Sequence, residues 1–247
     1  MIQRKYGWKP SLPDHRHKLF SDIKVEKKEL PPKVDLLAKC SLVEDQGNLG
    51  SCTANALAGA LEYNEMKTQK FIDLSRLFIY YNERMLEGTI NQDSGAMLTD
   101  GIKSLVKYGV CMESIVKYDI TTFKMKPSPA AYKDAATRKI SSYYKLENLM
   151  DMKLALANGY PFVLGFSVYE SFESPTVART GILNIPKDNE SLMGGHAVCA
   201  VGYDDATGRF LIRNSWGTKW GKSGYFTMPY SYISHPQLAN DMWVIKK

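Results

Sequence analysis

The apolar residues of this chain change period part-way along it, and no fold built from one kind of layer accommodates both halves. From Cys52 onward, Ala54, Leu57, Ala58 and Leu61 recur at i, i+3, i+4 and i+7, the stripe of an amphipathic helix. Further helices are predicted over 75–86, near 96–108 with Gly109 as the stop, and over 149–158 with Gly159 as the stop. After Pro161 the pattern turns to strand. Val198, Ala200 and Val201 read as a buried strand, Asp204-Asp205-Ala206-Thr207-Gly208 as a turn, and Phe210, Leu211 and Ile212 as the returning strand. Short strands are also predicted around 225–228 and 243–245. A helical first half and a β second half imply an α+β protein of two lobes. With 247 residues, 44% of them hydrophobic, the chain can bury a core for one large domain or two small lobes.

Charge separates a first segment from the rest. Residues 1–33 carry nine Lys or Arg against Asp14, Asp22, Glu26 and Glu29, so five of the six net positive charges sit there. A nucleic-acid-binding protein clusters basic residues on a folded motif; here the surplus lies on an arm that docks on something acidic or is simply solvated. Tyr6, Trp8, Leu12, Leu19, Phe20 and Ile23 give this arm apolar anchors that a free tail does not need. The opening residues carry charge without an apolar stretch, unlike a secretory leader, and no apolar run is long enough to cross a bilayer. The expectation is a protein that stays inside a cell or a particle, or one whose presequence is not among these residues.

Cysteines occur at 40, 52, 111 and 199, in spacings that match no zinc site. They are too few for a disulfide-built scaffold, and pairing of Cys40 with Cys111 stays open. Cys52 has a special setting. In Gln46-Gly47-Asn48-Leu49-Gly50-Ser51-Cys52 a glycine-containing loop runs straight into the apolar helix. Free N–H groups and the helix dipole at that junction favour a thiolate, the reactive form of cysteine. A lone cysteine there is more often a small buried hydrophobe, and the company downstream changes that reading. Gly194-Gly195-His196-Ala197-Val198 sets a histidine at the mouth of a buried strand, and Asn214-Ser215-Trp216-Gly217 follows the next strand. A nucleophile, a base and a polar residue to orient the base form the general triad arrangement.

These segments resemble the papain and cathepsin family of cysteine proteases at four places. Gln46 stands six positions before Cys52, at the family's spacing between oxyanion glutamine and nucleophile. Gly194-Gly195-His196-Ala197-Val198 is similar to the block around the family's histidine, and Val201-Gly202-Tyr203 to the strand end after it. Asn214-Ser215-Trp216-Gly217-Thr218-Lys219-Trp220-Gly221, with Gly224-Tyr225, is similar to the block around its asparagine. The order Cys, His, Asn also fits, over a stretch from about Pro31 to the C-terminus.

The resemblance implies a papain-like fold: a helical lobe mainly in 50–150, a β-barrel-like lobe mainly in 155–247, and the site in the cleft between them. Residues 1–33 are then an arm or short propeptide-like segment, and 34–247 the catalytic domain. It implies Cys52 as nucleophile, His196 as general base and acid, and Asn214 as the residue orienting His196. Trp216 shields that contact, and Gln46 with the Cys52 N–H forms the oxyanion hole. Gly95 and Gly195 meet the substrate backbone, and Met97 and Gly165 border an apolar, open pocket for the residue preceding the scissile one. No cofactor or metal is implied. The expected partners are peptide or protein substrates, with no nucleic acid or membrane, acting on a monomeric enzyme whose arm is an autoinhibitor in cis or a brace.

The departures are informative. The family has Cys-Gly-Ser-Cys-Trp at the nucleophile where this chain reads Leu49-Gly50-Ser51-Cys52-Thr53, losing one disulfide partner and one aromatic wall. The paired histidines of dipeptide-releasing members are missing, so an endopeptidase is expected. Two rival readings share the fold, a peptide-binding protein that does not cut and an enzyme that passes the acyl group to an amine. Intact Cys52, His196, Asn214 and Gln46 weigh against the first.

Overall fold

The structure, a computed structural model, describes residues 4–23, 29–66 and 71–247. Lys24, Glu26, Lys27 and Lys28, counted above in the charge of the arm, lie outside these residues. The arm contributes β1 (Trp8–Lys9), and β2 (Lys33–Asp35) follows it. Next come the helices α1 (Cys52–Met66) and α2 (Arg76–Leu86), the short β3 (Ala96–Met97), α3 (Leu98–Lys107) and α4 (Pro129–Ala135). The rest alternates: β4 (Ser142–Lys145), α5 (Leu149–Ala157), β5 (Phe162–Tyr169), α6 (Pro175–Thr180), β6 (Leu192–Asp204), β7 (Arg209–Arg213), β8 (Tyr225–Pro229), α7 (Tyr230–Ile233) and β9 (Ala239–Lys246).

Local chemistry sets most helix starts. Ser75, Ser128, Asn148 and Ser174 each cap a helix by accepting from the N–H three residues on, two of them just before a proline at the first helical position. The segment predicted as helix from 96 opens instead with two strand residues, because Ala96 and Met97 pair with the arm before α3 begins. Helix α1 departs from its expected single stripe. Thirteen of its fifteen residues are buried, polar Asn55 and Glu62 among them, so it is a central helix and not an amphipathic surface one.

Strands β1 and β3 form a separate parallel pair, and the other seven form one antiparallel sheet in the order β4-β9-β5-β6-β7-β8, with β2 added along β6. β4 falls inside the stretch read as helical from sequence. Strand β6 is buried on both faces, and its alternation decides what touches what. Ala197, Cys199 and Val201 join Trp243 and Ile245 in the core beneath α1, α2 and α3. Val198 and Ala200 point the other way, to a second core with Phe162, Phe166, Phe210 and Phe226. At about 1.5–3 kcal/mol for each fully buried large apolar side chain, the first core holds the helical part to the sheet and the second holds α5, α6 and α7 to it. The site lies where the start of α1 meets the start of β6.

Candidate active site

Cys52 is the first residue of α1 and has no exposed surface. A helix start alone draws a thiol toward its anionic form. Burial here is the larger effect and pushes the thiol up to about 11, against the N–H groups of Ala197 and Gly7, which lower it. Ala197 follows His196 on β6, so the sulfur lies beside the histidine's strand.

His196 is likewise fully buried, among Phe166, Phe172 and Trp216, whose ring centres lie 5.7, 6.3 and 5.2 Å away. Its Nε2 is 2.8 Å from Oδ1 of Asn214. That oxygen also accepts from the N–H of Ser215 and can only accept from the imidazole, so the Nε2–H tautomer is favoured. Nδ1 then has no hydrogen-bond partner among the described residues. Burial lowers the imidazole to about 4, the Asn214 contact opposing and the Arg4 charge adding.

Gln46 is held at both ends. Its Oε1 accepts from Ser215 Oγ at 2.6 Å, and its Nε2 donates to the carbonyl of Leu49 at 2.8 Å. The same nitrogen stands 3.4 Å from the carbonyl of Lys5, a residue of the arm.

The arm runs through the middle of this site. Gly7 O accepts from Ala96 N at 2.7 Å, and Trp8 and Lys9 pair in parallel with Ala96 and Met97. Tyr6 lies edge-on to His196, tilted against Trp216, and donates its hydroxyl to Glu173. Salt bridges join Arg4 to Asp45 at 2.6 Å, Lys5 to Asp93 at 2.9 Å and Lys9 to Glu87 at 2.8 Å. Glycine matters at two contacts. A Cβ on Gly95, which has φ 67, would stand 2.0 Å from Gly7 O, and one on Gly165 would stand 1.8 Å from the Trp8 ring.

The sequence profile of the papain family cysteine proteases matches residues 30–244. The chain belongs to the papain family of cysteine proteases. It is 44% identical to an uncharacterized peptidase C1-like protein of Acanthamoeba polyphaga mimivirus, in an alignment covering all of this chain and 88% of that protein. Among solved structures it is similar to xylellain, a cysteine protease from Xylella fastidiosa. The TM-score is 0.90 at 46% identity, over 98% of this chain and 96% of that one. Likeness to bromelain from Ananas comosus, with a TM-score of 0.67 at 20% identity over 87% of this chain and 99% of that one, extends to the fold alone.

In this papain-family peptidase, eight of the nine residues singled out from sequence line the path of the arm or hold the groups that do. Cys52, His196, Asn214, Gln46 and Trp216 cluster at Tyr6 and Gly7, with Gly95, Gly165 and Gly195 around Gly7 and Trp8. Met97 stands one step further on, opposite Lys9, its N–H bonded to Glu87. The space beside Gly165 and Gly195, expected as an open apolar pocket, is filled by Trp8, whose indole N–H donates to Asp241. All four cysteines are free, Cys40 and Cys111 included. Leu12, counted as an anchor of the arm, is 73% exposed. Among the described residues no group of acidic, His and Cys side chains could hold a metal, and no helix is long and apolar enough to cross a membrane.

Sequence reasoning missed Asp93, Glu173 and Asp241. Asp93 accepts from Gly50 N and Tyr80 OH besides Lys5, tying the loop before Cys52 to α2. None of the three has a sequence neighbour that signals its role.

Proposed function

We propose that this cysteine peptidase is an endopeptidase that works through Cys52, His196 and Asn214, and that in the arm-covered state described here it is latent. The His196–Asn214 contact beneath Trp216, with the Cys52 sulfur taking the N–H of the residue after His196, is the observation that carries the reading. With Nε2 committed to Asn214, Nδ1 is the nitrogen left to take the Cys52 proton. The thiolate then attacks the scissile carbonyl. The Cys52 N–H and Gln46 Nε2 hold the oxyanion, and the imidazolium protonates the leaving amine. Water opens the resulting thioester and regenerates the thiol.

The arm supports the latent state in two ways. The Lys5 carbonyl occupies the Gln46 amide, and Tyr6 and Gly7 lie over the sulfur and the imidazole. Burial beneath the arm also holds the thiol and the imidazole uncharged, the form least able to attack.

The test is steady-state hydrolysis of a fluorogenic peptide by the Trp8→Ala chain. Adding Cys52→Ala or His196→Ala abolishes turnover. Adding Asn214→Ala leaves a residue of it, and adding Gln46→Ala lowers kcat by about 10²-fold. Full activity in the Gln46 variant, or none in the Asn214 variant, contradicts the assigned roles.

A further inference from the structure

Three buried polar atoms that the chemistry above leaves unused belong to residues around one small cavity. Asn55 stands three residues after Cys52 on α1 and is 6% exposed. Its Nδ2 donates to Ser51 O at 2.9 Å and stands 3.1 Å from Ser51 Oγ. A carbonyl oxygen can only accept, so the amide nitrogen must face Ser51 and Oδ1 must face away. That Oδ1 has no hydrogen-bond partner among the described residues. Asn214 is the mirror case. Its Oδ1 accepts from Ser215 N and faces His196 Nε2, which turns Nδ2 away, again without a partner among the described residues. The third atom is Nε of Arg76 on α2, whose other guanidinium nitrogens reach Glu44 and Glu113.

Asn55, Asn214 and Arg76 line the same cavity, between α1, α2 and the end of β7, with about 10 Å³ open to the centre of a water molecule. A second cavity of that size borders Asn55 and Asn214 again, on the side of β6. This is roughly the room one water needs, and a buried water also needs two to four polar partners. The three atoms are complementary. Asn214 Nδ2 and Arg76 Nε can only donate and Asn55 Oδ1 can only accept, so a water accepts from the two nitrogens and donates to the oxygen. Polar atoms buried without partners are costly, and a bridging water is the usual way a fold satisfies them.

We propose that Asn55 is a positioning residue for Asn214, acting through one buried water that spans Asn55 Oδ1 and Asn214 Nδ2. The inference rests on the reading of Asn214 as the residue that orients His196. Ser215 N anchors the Asn214 amide at its oxygen alone, and a planar group held at one atom swings about that atom. A second anchor at Nδ2 fixes the plane, and with it the direction in which Oδ1 meets the Nε2–H of His196. A flipped amide would instead present N–H to Nε2 and drive the imidazole proton to Nδ1, the nitrogen that must take the Cys52 proton. Asn55 thereby links α1, whose first residue is the nucleophile, to the orientation of the base.

The first test reads the full chain without turnover. NMR of the protein labelled with nitrogen-15 histidine locates the proton on each imidazole, and His196 is expected as the Nε2–H tautomer with a slowly exchanging proton. Asn55→Leu keeps the side chain's size and removes the acceptor. The Nε2–H of His196 should then exchange about tenfold or more faster, the effect of losing one buried hydrogen bond. In Asn55→Asp a buried carboxyl keeps its proton, donates it to Ser51 O and presents its other oxygen to the water. Exchange at about pH 5.5 should then return to within about twofold of the parent. A crystal structure of the parent chain should show one water within hydrogen-bonding distance of both amides, a result that does not depend on how the variants fold. In the Trp8→Ala chain, Asn55→Leu should lower kcat about tenfold with KM unchanged. Where Asn214→Ala is also present, it should cost less than about twofold more. A parent structure without that water, unchanged exchange in Asn55→Leu, no recovery in Asn55→Asp, or a kcat loss that adds in full to that of Asn214→Ala overturns the proposal. No turnover in the Trp8→Ala chain would count against the catalytic reading, while exchange and the crystal water still decide this one.

Discussion

Cys52 combines a position that activates a thiol with surroundings that silence it. The helix start and two N–H groups draw it toward the thiolate, while complete burial pushes it up to about 11 and removes it from solvent. Cys40 is the only one of the four cysteines that is not buried. Iodoacetamide should therefore modify Cys40 first in the intact chain. In the Trp8→Ala chain Cys52 should overtake it, its rate rising by about tenfold or more, which corresponds to about 1.4 kcal/mol in the opening of the site. Peptide mapping by mass spectrometry reads both rates; Cys52 reacting first in the intact chain would contradict the covered state. The residues that the sequence singled out and the fold brings together, Cys52, His196, Asn214 and Gln46, sit in short motifs whose order and spacing survive without the fold. Asp241 was not legible because its direction is set by one extra residue in β9, and a bulge leaves no periodic trace in Ala239-Asn240-Asp241-Met242-Trp243. The left-handed conformation that marks it belongs to the backbone, not to the residue type.

At the scale of elements, α1 and α2 are tied through a buried carboxyl group directly behind the nucleophile. Glu83 of α2 accepts from Thr53 Oγ1 at 2.8 Å, its other oxygen has no partner among the described residues, and Gly101 of α3 leaves it room. Thr53, which replaces the family's aromatic residue, thus turns a wall position into a hydrogen-bonded joint. Burial raises Glu83 from 4.5 to about 8, the Thr53 contact opposing. Between those values the folded chain keeps a proton that the unfolded chain releases. Stability from this group is thus full below pH 4.5 and is lost as pH rises through 8. His196 works in the opposite sense, being held near 4 against an ordinary 6.5, so its contribution is lost on acidification through that range. Glu83→Gln mimics the protonated carboxyl and does not titrate. It should melt with the parent at pH 5 and a few degrees above it at pH 8. Parallel melting temperatures across pH 5, 6.5 and 8 would mean that Glu83 does not change its charge there. Helix periodicity in the sequence located α1 but could not show its all-round burial, since Glu62 accepts from Ser41 and Leu74, distant in the chain, and Asn55 donates to Ser51 one turn back.

Across the whole molecule the arm makes two sets of contacts with two different stretches. Residues 4–11 cross the cleft, whereas residues 18–20 pack on the far side of the sheet. There Lys145 N donates to Lys18 O at 2.9 Å, and Phe20, 1% exposed, enters the core with Leu146, Met152 and Leu156 beside α5. The contacts over the cleft and the contacts of a brace, which the sequence offered as alternatives, are made by successive segments of the arm, and the proposed latency rests on the first. Charge attracted notice in the sequence, yet the magnitudes favour the aromatic anchors. The cationic partners in the pairs to Asp93 and Glu87 are themselves 51% and 39% exposed, and pairs of this kind are worth about 0.2–1 kcal/mol each. Burying a large aromatic side chain stabilises by about 2–3 kcal/mol. Removing the whole arm would therefore confound release of the site with loss of the brace, and single substitutions separate them. Trp8→Ala should raise hydrolysis of a small fluorogenic peptide, because the tethered plug then competes less well for the cleft at the high effective concentration its linkage gives it. Its melting temperature should fall by only a few degrees, less than for the core variant below, since the loss is confined to docking of the arm and the cleft stays framed by Ala96, Gly165 and Gly195. Phe20→Ala should do the reverse. It opens a cavity in the second core at a cost of roughly 3–5 kcal/mol, which lowers the melting temperature of a chain this size by about 10 °C. Below the transition it should leave the activity near that of the parent. Calorimetric melts and peptide hydrolysis on the same preparations read both effects. If Phe20→Ala released activity while Trp8→Ala did not, the segment that holds the enzyme latent would be the one packed beside α5, acting on the cleft through the fold and not by occupying it.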